Sequence, residues 1–306
     1  MTVPFAISTN ATLGINRETV WGTPLTTGAR ALRITGFNNR PEFGTTESAE
    51  INSAHRETAD LIRTSQKGTG TIEAEMIFDV FDTLMESAFG GLFAANALQL
   101  GKTRVSYSLQ EHYTDLVNAF IVYRGCITNS MSVAVTVGQP MRTSFGFTSR
   151  APTTEVATMI GPVAAANTNV VMNPLQHISL VQQGGLSIDG CQAFEFQIQN
   201  ELAEIPSLTS ADLVSMLLGR VMVTGSFAVF KQSNVRFAQA LTNAPTTLAL
   251  TVGEGTRTYA FTMPNVRIQS VESGASGSNP LLERFSFTAL YNAANSSLRV
   301  VRGTGA

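Results

Sequence analysis

The chain has 306 residues, 43% of them hydrophobic, enough to bury one or two cores, yet only 14% are charged, against roughly 25% in an ordinary soluble protein. A formal net charge of −2 leaves no basic surplus to neutralise phosphates, which disfavours tight nucleic-acid binding. Cys126 and Cys191 stand far apart with no C-x-x-C spacing, which argues against a disulfide framework or a zinc site.

Residues 1–27 lack both a basic n-region and a continuous apolar h-region, so they read as an N-terminal arm on a product that stays in the cytoplasm where it is made. Trp21, in "ETVWGTP", is the candidate anchor of that arm. No stretch supplies 18 consecutive apolar residues for a membrane span.

From residue 28 onward, short runs alternate apolar and polar side chains between Gly, Asn, Pro and Ser, which is the strand pattern. The first half offers 31–37, 69–78, 104–111, 120–126, 130–137 and 142–149. After the second of these, Val80, Phe81, Leu84, Met85 and Ala88 fall at helical spacing behind Asp79 as a candidate N-cap, and Gly90 and Gly91 end the run. The segment 90–103 reads as an insertion; its "LQLGKT" lacks the first glycine of a phosphate-binding loop, Asn96 standing there instead.

The stretch 151–185 begins rich in Ala, Thr, Asn and Pro and reads as a linker. Strands resume at 193–200, 220–230, 246–252, 257–263, 266–273 and 284–291, with a second helix behind Ser233 and Asn234 carrying Val235, Phe237, Ala238 and Leu241. A loop or short helix between strands is expected over 209–219, where a Ser/Thr cap precedes an apolar run that stops at Gly219.

The two halves share an order of words. "AEI" occurs at 49–51 and 203–205, followed by Gly70 and Gly225 at distances that agree within one position, then a strand, a helix and an aromatic pair, Phe145 and Phe147 or Phe285 and Phe287. The expected fold is therefore mainly β, with two tandem β-sandwich or split-barrel repeats (28–150 and 186–306), each carrying one short packed helix.

Reactive constellations are missing. His55, His112 and His177 fall in separate polar segments and read as surface histidines, and "GGLSIDG" is not a serine-hydrolase elbow. No catalytic, cofactor-binding or metal-binding residue is nominated. Glu73 and Glu75 share one face of a strand, which suits either a solvated side or a negatively charged wall.

Three stretches carry a family resemblance: "GINRETVWGTP", "FNNRPEFGTTESAEINSAHRETADLIRTSQKGTGTIEAEMIFDVFDTLMESAFGG" and "RTYAFTMPNVRIQSVESGASGSNPLLERFSFTALYN". In this order they resemble the tail tube (major tail) proteins of long-tailed, non-contractile bacteriophages, over nearly the whole chain. The resemblance implies a non-enzymatic virion protein, assembled in the bacterial cytoplasm, whose stacked rings form the hollow tube that carries DNA into the host. It also implies trimeric, pseudo-hexameric rings, with hexamers as the alternative, and tape measure, terminator and tip proteins as partners. Double-stranded DNA would pass without specific binding, with Glu73 and Glu75 as candidate lumen-facing acids, because positive side chains there would hold phosphates. Edge strands would join neighbouring subunits, and the arm and the segment 90–103 would order on stacking. A tail-tip or head decoration protein is the alternative within the virion. A sugar-binding or hydrolytic β protein would need clustered aromatics with acids in a cleft.

Overall fold

A computed structural model of the chain describes residues 5–49, 57–58, 60–274 and 280–305. His55 and all of the first "AEI" word except Ala49 lie outside the described residues. The first half contains β1 (Ala11–Arg17), β2 (Arg30–Ala31), β3 (Gly36–Glu47), β4 (Leu61–Glu75), α1 (Asp82–Phe89), β5 (Ala97–Gln99), β6 (Tyr107–Tyr113), β7 (Phe120–Thr136), β8 (Arg142–Ser149) and β9 (Thr153–Glu155). The second contains α2 (Pro174–His177), β10 (Ile178–Gln183), β11 (Leu186–Ser187), β12 (Cys191–Ser207), β13 (Ser210–Phe230), α3 (Val235–Leu241), β14 (Thr246–Glu254), β15 (Arg257–Ser273), β16 (Leu282–Ala289) and β17 (Arg299–Arg302).

The same ladder of antiparallel pairings occurs twice. In the first half it runs β2–β1–β6–β7–β8–β4–β3. In the second it runs β11–β10–β14–β15–β16–β13–β12. Strands β7 and β15 each have 17 residues and serve two layers, pairing with β6 or β14 near their start and with β8 or β16 further on. Each half thereby curls into a barrel-like sandwich, and one continuous core runs from Leu13 to Val300.

The recurring glycine and aromatic pair have a packing cause. Gly70 lies opposite Phe147 and Gly225 opposite Phe287. A Cβ on Gly70 would come within 2.7 Å of the Phe147 ring, and one on Gly225 within 2.5 Å of the Phe287 ring. The bare backbone admits a buried ring on the neighbouring strand, so glycine and phenylalanine recur together.

Several expectations are corrected. The span 209–219, expected as a loop or short helix, is strand from Ser210 onward, because pairing along β12 satisfies its backbone and overrides the helical spacing of Leu213 and Met216. Asp79 is not the helix cap; it occupies a left-handed turn at φ 64°, and α1 begins at Asp82. Residues 11–17, expected within an arm, form β1 against β6. The span 151–185 contains β9, α2 and β10. The segment 90–103 is already ordered within one chain, since its β5 pairs with β17 near the C-terminus. His177 is buried rather than superficial, its Nδ1 accepting a hydrogen bond from the Asn173 backbone at 3.0 Å.

Candidate assembly surfaces

The two halves meet edge to edge. Residues 130–136 of β7 pair antiparallel with residues 193–199 of β12, which merges the sheets into one ribbon of order β3–β4–β8–β7–β12–β13–β16–β15. Among the described residues, β3 at one end pairs only with β4, and residues 268–273 of β15 at the other end pair only with β16. Pro41 in β3 suits such an edge, because it lacks the N–H that an interior ladder needs.

A clamp reinforces this joint. The tip of the β12–β13 hairpin reaches back over the first half, where Leu213 and Met216 bury themselves against Ile127 beside Trp21, Leu202 and Leu218. Trp21 is held by its indole N–H, which donates to the Gly125 carbonyl at 3.0 Å, and the guanidinium groups of Arg104 and Arg150 flank its ring at 5.6 and 5.7 Å. Gly125 adopts φ 64°, and a Cβ there would stand 2.8 Å from the indole nitrogen. Asp212 accepts from the Arg150 guanidinium at 2.8 Å and from the Ala151 backbone N–H at 2.8 Å. Lys67 pairs with Glu204 at 2.7 Å across the same seam.

The clamp also closes over α1. The Asn200 amide donates to the carbonyls of Ala88 (2.8 Å) and Thr128 (3.1 Å), satisfying an acceptor that the helix end leaves open. The C-cap Gly90 is left-handed at φ 61°, and a Cβ on it would lie 2.9 Å from the Leu218 side chain. Trp21 is the candidate arm anchor of the sequence, whereas Arg104, Arg150, Asp212 and Asn200 carry no such signal, because only the tertiary pairing brings them together.

A second tie joins the halves. The Tyr259 hydroxyl donates to the Asp82 carboxylate and accepts from the Asp79 backbone N–H at 2.9 Å, while Arg302 pairs with Asp82 and, at 3.8 Å, with Asp79. Burial pushes the Asp82 carboxyl above its ordinary range, against the pull of the Tyr259 hydrogen bond and the Arg302 charge. Burial likewise pushes the Tyr259 hydroxyl well above its ordinary range.

The sheet face opposite the core is largely polar, with Ala134 and Met222 among its apolar members. Cross-strand partners place Glu73, Ser144, Ser132, Gln197, Thr224 and Thr288 in one row. A neighbouring row holds Glu75, Arg142, Ala134, Glu195, Ser226 and Ser286. Glu73 is exposed and Glu75 half-buried on this face. Two of its arginines stand opposite acids, Arg142 facing Glu75 and Arg284 facing Glu272, whereas Arg267 faces Thr288 and Arg40 faces Thr69. Among the described residues, no group of three or more His, Cys, Asp or Glu is arranged to hold a metal ion. Among the described residues, no helix is long and apolar enough to cross a membrane.

The subunit is thus mainly β, its strands forming one wide ribbon with a largely polar face. The family model for the phage tail tube protein matches residues 8–289, nearly the whole chain, and the chain belongs to that family. It is accordingly a structural component of the phage tail. No curated protein matches it.

Proposed function

We propose that this chain is two copies of one tube domain fused in tandem, and that it assembles into stacked rings whose bore passes double-stranded DNA. The observation that carries this reading is the internal joint: β7 of the first half pairs with β12 of the second, while their counterparts, β15 and β3, keep unpaired edges at opposite ends of the ribbon. Repeating the same joint from chain to chain uses both edges, and three chains supply six domains in a closed ring. Edge pairing of this kind turns an aggregation hazard into an assembly contact.

The polar face lines the bore in this arrangement, with Glu73 and Glu75 on it. Hydroxyls and amides dominate it, and Arg142 and Arg284 face glutamates across the strands, which suits a wall past which a polyanion slides. Tape measure, terminator and tip proteins complete the tail, and the particle is assembled in the bacterial cytoplasm.

Negative-stain microscopy of the concentrated protein, with native mass spectrometry of the rings, tests the reading. Hollow striated tubes and a ring mass of three chains are expected. Monodisperse particles that never polymerise would overturn the tube, and a six-chain ring would overturn the trimer.

A further inference from the structure

The internal clamp has counterparts on two surfaces that the single chain leaves bare. Met216 stands nine positions before Gly225 and is fully buried; the residue nine before Gly70 is Leu61, which is 60% exposed, with Ile62 beside it at 50%. Asn200 stands four positions after Phe196, the partner of Gly225; the residue four after Asn39, the partner of Gly70, is Phe43, 47% exposed. The described part of the β3–β4 pair thus presents Phe43, Leu61 and Ile62 to solvent where its counterpart has an occupied contact.

The receiving surface shows the complementary gap. Helix α1, under the clamp, buries Leu84, Met85, Ala88 and Phe89, whereas α3, at the same place in the second half, has no buried residue. Val235 and Leu241 of α3 are 71% and 75% exposed, and Phe237 is exposed as well. The patch continues past the helix: Arg267 donates to the Asn243 carbonyl just beyond α3, and the Asn265 amide donates at 3.3 Å to the carbonyl of Tyr291, itself exposed together with Leu290.

We infer that the β3–β4 hairpin of one chain docks over α3 of a second copy, Leu61 and Ile62 entering the patch formed by α3, Leu290 and Tyr291, with Phe43 over the last turn of the helix. The occupant is a second copy because the chain already contains this interface once, between β12–β13 and α1, and each bare surface is the counterpart of one side of it. Where the internal clamp relies on Asp212 with Arg150 and on Asn200 with a helix carbonyl, the counterpart brings Leu61, Ile62 and Phe43 to Val235, Phe237 and Leu241, with Arg63 over the Phe43 ring and Lys231 over the Phe237 ring. Such a dock forms only at the assembled joint, where it removes both patches from water. This inference rests on the ring reading and adds the hairpin as a lock on each chain-to-chain joint.

The test uses the full chain with Phe43→Cys and Leu241→Cys, treated with a short bismaleimide after assembly, alongside each single variant. Interchain crosslinks in the double variant at least ~10-fold above either single variant, ending at covalent trimers once tubes are dissociated, are expected. Tubes that form normally without a 43–241 crosslink would overturn the dock while leaving the ring reading intact. A wild-type chain that forms no rings would overturn both. As a second measurement, Leu61→Asp with Ile62→Asp is expected to keep the wild-type circular dichroism and melting temperature and to raise the concentration needed for tube formation by at least ~10-fold; an unchanged threshold would sink the dock.

Discussion

The two long hairpins are built on the same register and meet opposite fates. In β12–β13 the tip buries Leu213 and Met216 and anchors Asp212 on the first half. In β3–β4 the matching positions leave Leu61 and Ile62 exposed, and Phe43 half exposed with the Arg63 guanidinium 4.0 Å from its ring centre. The helices beneath follow suit, α1 being submerged and α3 bare. Two elements with one backbone plan thus differ in burial at their far ends, because β12–β13 extends over the first half while Leu61 and Ile62 reach past the part of β4 that meets β8, β13 and Glu204. Exposed apolar surface is informative here because a covered counterpart states what covering it requires.

The comparison breaks most visibly in the paired cores. Phe145 and Phe285 are both fully buried, each on the strand that bears its half's glycine-facing ring. Phe145→Ala and Phe285→Ala should each cost about 3–5 kcal/mol in chemical denaturation, the range for emptying a buried phenylalanine site. If one substitution were nearly silent, the two cores would not be equivalent. A smaller cost is expected from Gly70→Ala and Gly225→Ala, about 1–3 kcal/mol each, since the new methyl group meets the Phe147 or Phe287 ring.

The hairpin tips themselves should separate in the unassembled chain. Asp212→Ala removes a charged acceptor from Arg150 and from the Ala151 N–H, and a loss of ~1.5 kcal/mol is expected, near the low end for charged hydrogen bonds because Arg150 stays partly in water. Leu61→Ala, at the matching hairpin, should change monomer stability by less than ~0.5 kcal/mol, as an exposed position does. Equal costs at the two tips would erase the contrast.

Much of this architecture was legible in the residues. Alternation gave most strands, Gly90 and Asn234 bounded the two helices that follow the long hairpins, and the recurring Gly and Phe words pointed to the repeated ladder. The failures share one physical origin. The span 209–219 has helical spacing but lies in a hairpin, because β12 supplies its hydrogen bonds from outside the window that propensity reads. Residues 97–99 looked like part of a loose insertion, yet their partner β17 lies near the other end of the chain. Trp21 announced itself by its rarity, whereas its seat, made of Arg104, Arg150 and Gly125, is assembled only by folding.

The smallest expected effect concerns the tie at Asp82, where the halves meet near the C-terminal strand. Its carboxyl is held above its ordinary range chiefly by burial, so the folded chain binds that proton more tightly than the unfolded chain does. A raised folded pKa contributes stability that is fully present below the unfolded value near 3.8 and is lost as pH rises through the folded value. Asp82→Asn removes this titration, so the stability of wild type relative to the variant should fall as pH rises from about 3.5 upward through the folded pKa, then level off. Denaturation of both proteins across that window reads the slope directly. A difference that rises with pH would mean that Arg302 and Tyr259 outweigh burial, making the ion pair rather than desolvation the dominant influence at this seam.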